Sequence, residues 1–176
     1  VSEEFITTTE DENGRVKTID FKDDDKFNFA FDVVDAIAKK SPDKLAMLHI
    51  DKNKVERRFT FNDMKRASAQ SANYFKALGI KKGDRVMLVL KRHYQFWFAV
   101  LGLHKLGAIV IPATHQLQVH DLEYRFNAAG VSAIVCTADD GIADHVDEAQ
   151  KTCPTLTTKI LVGDNREGWN NFDEEF

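Results

Sequence analysis

The side chains best suited to hold or transfer something sit in three short polar stretches, each following an apolar run. Residues 112–118 carry Thr114, His115 and Gln116, a hydroxyl, an imidazole and an amide between them. They lead into a helical pattern whose first free amides attract anions. By residue type alone, a structural turn and a ligand-binding loop fit this stretch equally. Lys91-Arg92 follows another apolar run, at the place where α/β sheets bind ligands, and suits an anion or plain solvation. Asp139-Asp140 comes after Thr137-Ala138. Two carboxylates there can move protons or hold a sugar hydroxyl, but capping the helix that follows is the preferred reading.

Six histidines raise the question of a metal. His115 and His120 flank one helix start and His93 opens another helix, while His49, His104 and His145 fall on separate elements. No cysteine or carboxylate joins them at ligand spacing, so surface or capping roles are expected and no metal ligand is assigned. Neither a Gly-x4-Gly-Lys-Ser/Thr loop nor a Gly-x-Gly-x-x-Gly turn occurs, and neither does a Gly-x-Ser-x-Gly elbow or a His-Glu-x-x-His pair. No catalytic residue is assigned. The aromatic run Tyr94, Phe96, Trp97, Phe98 invites comparison with a base-stacking surface. It lies in a helix apolar nearly all round, for which burial between layers is expected.

Those stretches need elements to hold them. An Asn13-Gly14 turn signal separates Thr-rich and Val/Ile-containing arms, predicting a marginal hairpin or loosely held arm, flanked by acidic residues at 10–12 and 23–25. The alternation of Phe27, Phe29 and Phe31 is expected to anchor the chain to the core. A helix is predicted over 29–40, stopped by Ser41-Pro42, then strands over 45–50 and 57–60 around a polar turn. The clearest helix begins at Thr60. Its hydroxyl and Asp63 suit a reciprocal cap, Phe59 can staple onto Met64, and Met64, Ala67, Ser71, Phe75 and Leu78 make one stripe ended by Gly79. Strands follow at 86–90, 108–111, 133–136 and 159–162, with helices at 94–106, 119–129 and 142–151 between them. They recur about every 22 to 27 residues, the spacing of right-handed crossover units. The fold class is α/β: a largely parallel sheet with helices on both faces, an N-terminal arm or hairpin, and a short antiparallel hairpin. The expected organisation is an arm over 1–28, an α/β subdomain over 29–163 and a connection to further protein over 164–176, anchored by Trp169 and Phe172.

Composition agrees with a folded chain. Of 176 residues 43% are hydrophobic and 30% charged, with a formal net charge of −4 from 24 basic and 28 acidic residues. Intermixed charge of that sign argues against nucleic acid as a partner. No apolar run reaches the roughly 20 residues of a membrane span. Residues 1–9 read as no signal peptide, and Cys136 and Cys153, in unrelated contexts, suit a reducing compartment, so a cytoplasmic location is expected.

Several motifs taken in order resemble a known family. Arg58-Phe59-Thr60-Phe61 and Gly79-Ile80-Lys81-Lys82-Gly83-Asp84-Arg85-Val86 are similar to the opening of the adenylate-forming superfamily of acyl-CoA synthetases, luciferases and peptide-synthetase adenylation domains. Leu90-Lys91-Arg92-His93-Tyr94-Gln95-Phe96-Trp97 and Lys105-Leu106-Gly107-Ala108 narrow the likeness. With Pro112-Ala113-Thr114-His115-Gln116-Leu117 and Asp121-Leu122-Glu123-Tyr124-Arg125, the chain resembles the acetyl-CoA and medium-chain acyl-CoA synthetase branch, over about residues 27–172.

The resemblance implies ATP, Mg²⁺ and coenzyme A as cofactors and a small carboxylic acid as substrate, joined through an acyl-adenylate. That family draws on a Ser/Thr/Gly-rich phosphate loop, an adenine-binding motif and a mobile C-terminal domain with a lysine. None is in this sequence, so the resemblance implies an N-terminal fragment, inactive alone, whose partner is the remainder of its own polypeptide. In this branch the loop after the equivalent of Ile111-Pro112 approaches coenzyme A, and Gln116 occupies the matching place, with Thr114 and His115 shaping the loop. Acetyl-CoA synthetases set an arginine pair for the coenzyme's phosphates after the strand matching 133–136. Here Gly141-Ile142-Ala143-Asp144-His145-Val146 has none, which leans towards the medium-chain type. The rival from another class is a non-catalytic α/β binding or interaction domain; another adenylation enzyme of the superfamily is the nearer alternative.

Overall fold

Five parallel strands, the central ones buried on both faces, organise the computed structural model, which describes residues 5–22 and 25–176. The acidic residues Asp23 and Asp24, and residues 1–4 of the stretch tested for a signal peptide, lie outside that description. In chain order the elements are β1 (Ile6–Glu10), β2 (Val16–Phe21), a π-helical segment (Phe29–Asp35), α1 (Ala36–Lys40), β3 (Leu45–Ile50) and β4 (Glu56–Thr60). Then come α2 (Phe61–Ala77), β5 (Arg85–Val89), α3 (Gln95–Leu106), β6 (Ile109–Pro112), α4 (Val119–Ala129) and β7 (Ala133–Thr137). A 3₁₀ turn (Asp139–Gly141), α5 (Ile142–Gln150), β8 (Thr158–Val162), β9 (Asn170–Asn171) and α6 (Phe172–Glu175) complete the chain.

The sheet order is β6-β5-β7-β8-β9, every pair parallel. Strand side chains alternate between faces. Val86, Leu88, Leu90, Ala133 and Val135 enter one core with Phe75, Phe98 and Leu101; Met87, Val89, Ile134 and Cys136 enter the other with Leu122, Phe126 and Val146. Thus α2 and α3 cover one face and α4 and α5 the other, the doubly wound arrangement expected of continuous apolar strands. Pro112 is tolerated because β6 is an edge strand of this sheet.

Local signals account for most boundaries. Asp63 N donates to Thr60 Oγ1 at 3.2 Å and Thr60 N to Asp63 Oδ2 at 2.8 Å, the reciprocal cap of α2. At its other end Gly79 takes φ +86 and Ile80 N returns to Phe75 O at 3.0 Å. The hairpin β3–β4 forms its own antiparallel sheet and packs Ala46, Met47 and Phe59 onto the first core. The hairpin β1–β2 forms as well, with Asp11 Oδ1 accepting from Asn13 N and Arg15 N across the turn. Its strands are exposed almost throughout.

Two expectations are corrected. Phe27, Phe29 and Phe31 do not anchor the chain: each is 40% exposed or more. An alternating pattern needs an extended backbone, and this segment coils. Coiling turns Ala30 and Val34 inward instead, while Lys105 Nζ holds Asp35 at 2.9 Å and sits 5.3 Å from the Phe31 ring. Nor is the aromatic run of α3 wholly core: Phe98 is buried but Trp97 is 49% exposed. A helix apolar all round still needs neighbours on every side, and Trp97 steps away from the side that α2 and the sheet cover. Residues 164–176, expected as a connection, contribute β9 and α6, with Phe172 fully buried in the first core.

Candidate functional site

In the order β6-β5-β7-β8-β9, the connection from β5 runs to one side and that from β7 to the other. Loops leaving two neighbouring strands in opposite directions open a crevice at the carboxyl edge, where open α/β sheets bind ligands. The loops there begin after Val89, Pro112 and Thr137, and they carry all three polar stretches picked out from the sequence.

From the β5 loop, Lys91 reaches across to Asp140 of the β7 loop with Nζ–Oδ2 at 2.5 Å, and lies 3.9 Å from Asp139. The hydrogen bond from Lys91 holds the Asp140 carboxyl below the usual carboxylate range. His93 Nε2 is 2.8 Å from Thr137 Oγ1, a fully buried hydroxyl, and 3.5 Å from Asp139 Oδ2. From the β6 loop, His115 Nε2 comes within 3.6 Å of the same Asp140 oxygen that Lys91 holds. Arg92 is exposed, and its carbonyl meets His49 Nε2 at 3.0 Å. That contact ties the β3–β4 hairpin to the crevice.

The 112–118 loop is pinned at both ends. Ala113 N donates to Leu88 O at 2.9 Å, and His145 Nδ1 donates to Leu117 O at 3.0 Å. Between them Thr114 Oγ1 accepts from Gln116 N at 3.3 Å, a side chain-to-backbone turn that sets the local course. Gln116 itself is exposed. Its carbonyl accepts from Gln118 Nε2 at 3.5 Å. The helix start beyond is not an open anion site, because Asp121 already places a carboxylate there, accepting from Gln118 N at 3.1 Å.

The structure therefore brings Lys91 and His115 together and leaves Thr114 and Gln116 exposed beside them. The helix-capping reading of Asp139-Asp140 is corrected. Gly141, at φ +70, precedes α5 with no side-chain capping bond, and Asp140 turns away to Lys91. An ion pair over the crevice satisfies that carboxylate better than a helix end that its left-handed backbone points it away from. His93 and Thr137 were not singled out as a pair by sequence. The available signal was the position of each at a strand end, on strands that only the sheet order makes neighbours. Among the described residues, no group of three or more His, Cys, Asp or Glu side chains could hold a metal ion.

A second polar centre lies on the other face. Asp147 of α5 accepts from Lys159 Nζ at 2.6 Å, Arg166 Nε at 2.9 Å and Trp169 Nε1 at 3.0 Å. Arg166 also reaches Asp144 at 2.7 Å. The stretch 141–146, which lacks arginines of its own, is thus met by an arginine from a later loop whose charge is already balanced by two carboxylates.

Comparison with known proteins gives this geometry a context. The model of a family described as "AMP-binding enzyme" matches residues 34–175. Acyl-coenzyme A synthetase ACSM5, mitochondrial, of Rattus norvegicus is 37% identical over 155 residues, 84% of this chain and 26% of that protein. Acyl-coenzyme A synthetase ACSM3, mitochondrial, of Homo sapiens is 35% identical, with the same coverage of each. Among solved structures, the acetoacetyl-CoA synthetase from Streptomyces lividans superposes with a TM-score of 0.75 at 22% identity, over 85% of this chain and 25% of that one. A fatty acyl CoA synthetase of Mycobacterium tuberculosis gives 0.68 at 24%, over 76% and 26%. At such identities these two likenesses speak for the fold. The chain spans about a quarter of the length of the curated relatives it matches.

Proposed function

The chain belongs to the AMP-binding enzyme family, and from that premise we propose that it forms the N-terminal part of an ATP-dependent acyl-CoA synthetase. The reaction has two balanced steps. A carboxylate oxygen attacks the α-phosphorus of ATP and pyrophosphate leaves; the thiol of coenzyme A then attacks the acyl carbon, loses its proton, and AMP leaves. The observation that carries this reading is continuous likeness, through β5–β8 and their helices, to proteins named acyl-coenzyme A synthetases. The acid we favour is medium-chain, since 141–146 has no arginine to resemble the acetyl-type phosphate pair.

Within this chain, Gln116 is our candidate to bond coenzyme A, with Thr114 and His115 shaping its loop. Supporting that role, the Gln116 amide is exposed on a loop whose ends are both tied to the body of the fold. ATP and Mg²⁺ fit this chain less well. The sequence holds no phosphate loop, and its described residues present no converging set of metal ligands. We assign both to the remainder of the polypeptide, which is also the proposed partner. No helix among the described residues is long and apolar enough to cross a membrane. Cys136 and Cys153 are both buried free thiols, which suits a reducing compartment. We propose the cytoplasm, and since the relatives are named mitochondrial, imaging of the tagged full-length protein tests that choice directly.

The function is tested in the full-length polypeptide by following AMP release with medium-chain acids. Release that needs ATP, acid and coenzyme A together is expected; release independent of coenzyme A would sink the reading. Gln116→Ala should raise the apparent KM for coenzyme A about fivefold, the effect of one lost hydrogen bond, with the KM for ATP unchanged. An unchanged coenzyme A value removes Gln116 from the site.

A further inference from the structure

Three non-glycine residues among the described ones have left-handed backbone, and two of them meet across the crevice: Lys91 at φ +46 and Asp140 at φ +61. Such residues are uncommon and persist where their surroundings over-determine them. The fold does not ask for either. β5 and β7 are buried and fully paired before these residues begin, and an ion pair as exposed as this one adds little to stability. What the pair does is geometric. The backbone of Asp140 belongs to the β7 loop, and its Oδ2 faces Lys91 of the β5 loop at 2.5 Å and His115 of the β6 loop at 3.6 Å. One oxygen thereby bonds one neighbouring loop and stands close to a second. Lys52, at the tip of the β3–β4 turn, adds its positive field on Asp140.

We propose that Asp140 and Lys91 are positioning residues for the 112–118 loop: their ion pair, with His115 drawn against it, sets the orientation in which Gln116 is presented. The proposal rests on the role given to Gln116 above, and it concerns a contact no relative's name describes. Local bonds alone leave the loop one freedom. Its ends are tied by Ala113 N and Leu117 O, and Thr114 sets its turn; from its middle His115 reaches out towards Asp140. Removing the carboxylate frees that middle without disturbing either end.

The test uses the full-length polypeptide with Asp140→Asn, Lys91→Met and Lys91→Arg. Amide hydrogen exchange over 112–118 reads the loop directly, whatever the enzyme's activity. Apparent KM values for coenzyme A and ATP read the consequence. Both single charge removals should speed exchange over 112–118 and raise the coenzyme A KM about fivefold, leaving the ATP KM in place. Lys91→Arg should keep both near the original. Unchanged loop exchange in the single variants overturns the proposal. So does faster exchange spread equally through β5 and β7, which marks lost folding rather than lost loop orientation. If the unmodified protein makes no acyl-CoA, the functional reading falls, while the exchange comparison still decides the positioning role.

Discussion

Asp147 shows how one side chain can hold a segment that sequence reading treats as loose. Burial pushes its carboxyl up, but hydrogen bonds from Lys159 and Arg166 outweigh that and hold it below the usual carboxylate range. The folded pKa then lies under the unfolded value of about 3.9. The stabilisation is fully present above that unfolded value and is lost as pH falls through the lower folded one. Asp147→Asn should therefore cost about 1–3 kcal/mol at pH 7 and flatten the fall in stability below about pH 4. Urea unfolding at pH 7 and pH 3 checks it; parallel pH curves for variant and parent would contradict it. Nothing in the sequence marked Asp147, because its partners stand 12, 19 and 22 residues away. The Thr60–Asp63 cap was legible because its two halves are three residues apart. Cys136 lies within the second core, and burial pushes its thiol up to about 12, an unreactive state.

Helices α2 and α3 pack so closely that an added carbon at Gly102 would stand 2.6 Å from Ser71 Cβ and 3.0 Å from the Ala72 nitrogen. Both neighbours belong to a helix that cannot yield locally, so Gly102→Ala should cost about 1–3 kcal/mol through overpacking. The urea midpoint should drop with its slope unchanged; an unshifted midpoint would show that the helices can separate freely. Gly102 falls inside the helix predicted over 94–106, but its packing partner lies 30 positions back in the sequence, where periodicity cannot identify it. Element types were legible almost throughout, most boundaries within a residue or two, since turns, caps and periodicity act over three or four positions. The segment around Phe27, Phe29 and Phe31 was misread for the converse reason. Spacing of two describes a strand face only if the strand has a sheet to join, and none accepts this segment.

As a whole molecule, the chain is a doubly wound sheet with two cores and a carboxyl edge lined by charged loops. The edge carries Lys91, His93, His115, Asp139 and Asp140; the sequence holds no phosphate loop, and no group of metal ligands forms among the described residues. The 176-residue chain by itself should therefore show no carboxylate-dependent exchange of pyrophosphate into ATP. Exchange above a no-acid blank would mean that this unit holds nucleotide unaided and that the assignment of ATP to the remaining polypeptide is wrong. The exposed hairpin β1–β2 lies ahead of residues 34–175, the span that the family model matches.

Periodicity and turn chemistry were enough for the α/β class and the succession of strands and helices, because each depends on residues close together in the chain; the family was legible only through the likeness of ordered motifs such as Gly83–Val86 and Pro112–Leu117. The pairing of Lys91 with Asp140, 49 positions apart, and of His93 with Thr137, 44 apart, was beyond them. Those contacts exist because β7 lies beside β5 rather than beside β6, a consequence of where long crossovers pack. Strand order is settled by burial of whole faces, and only after it is settled do the loop residues acquire neighbours.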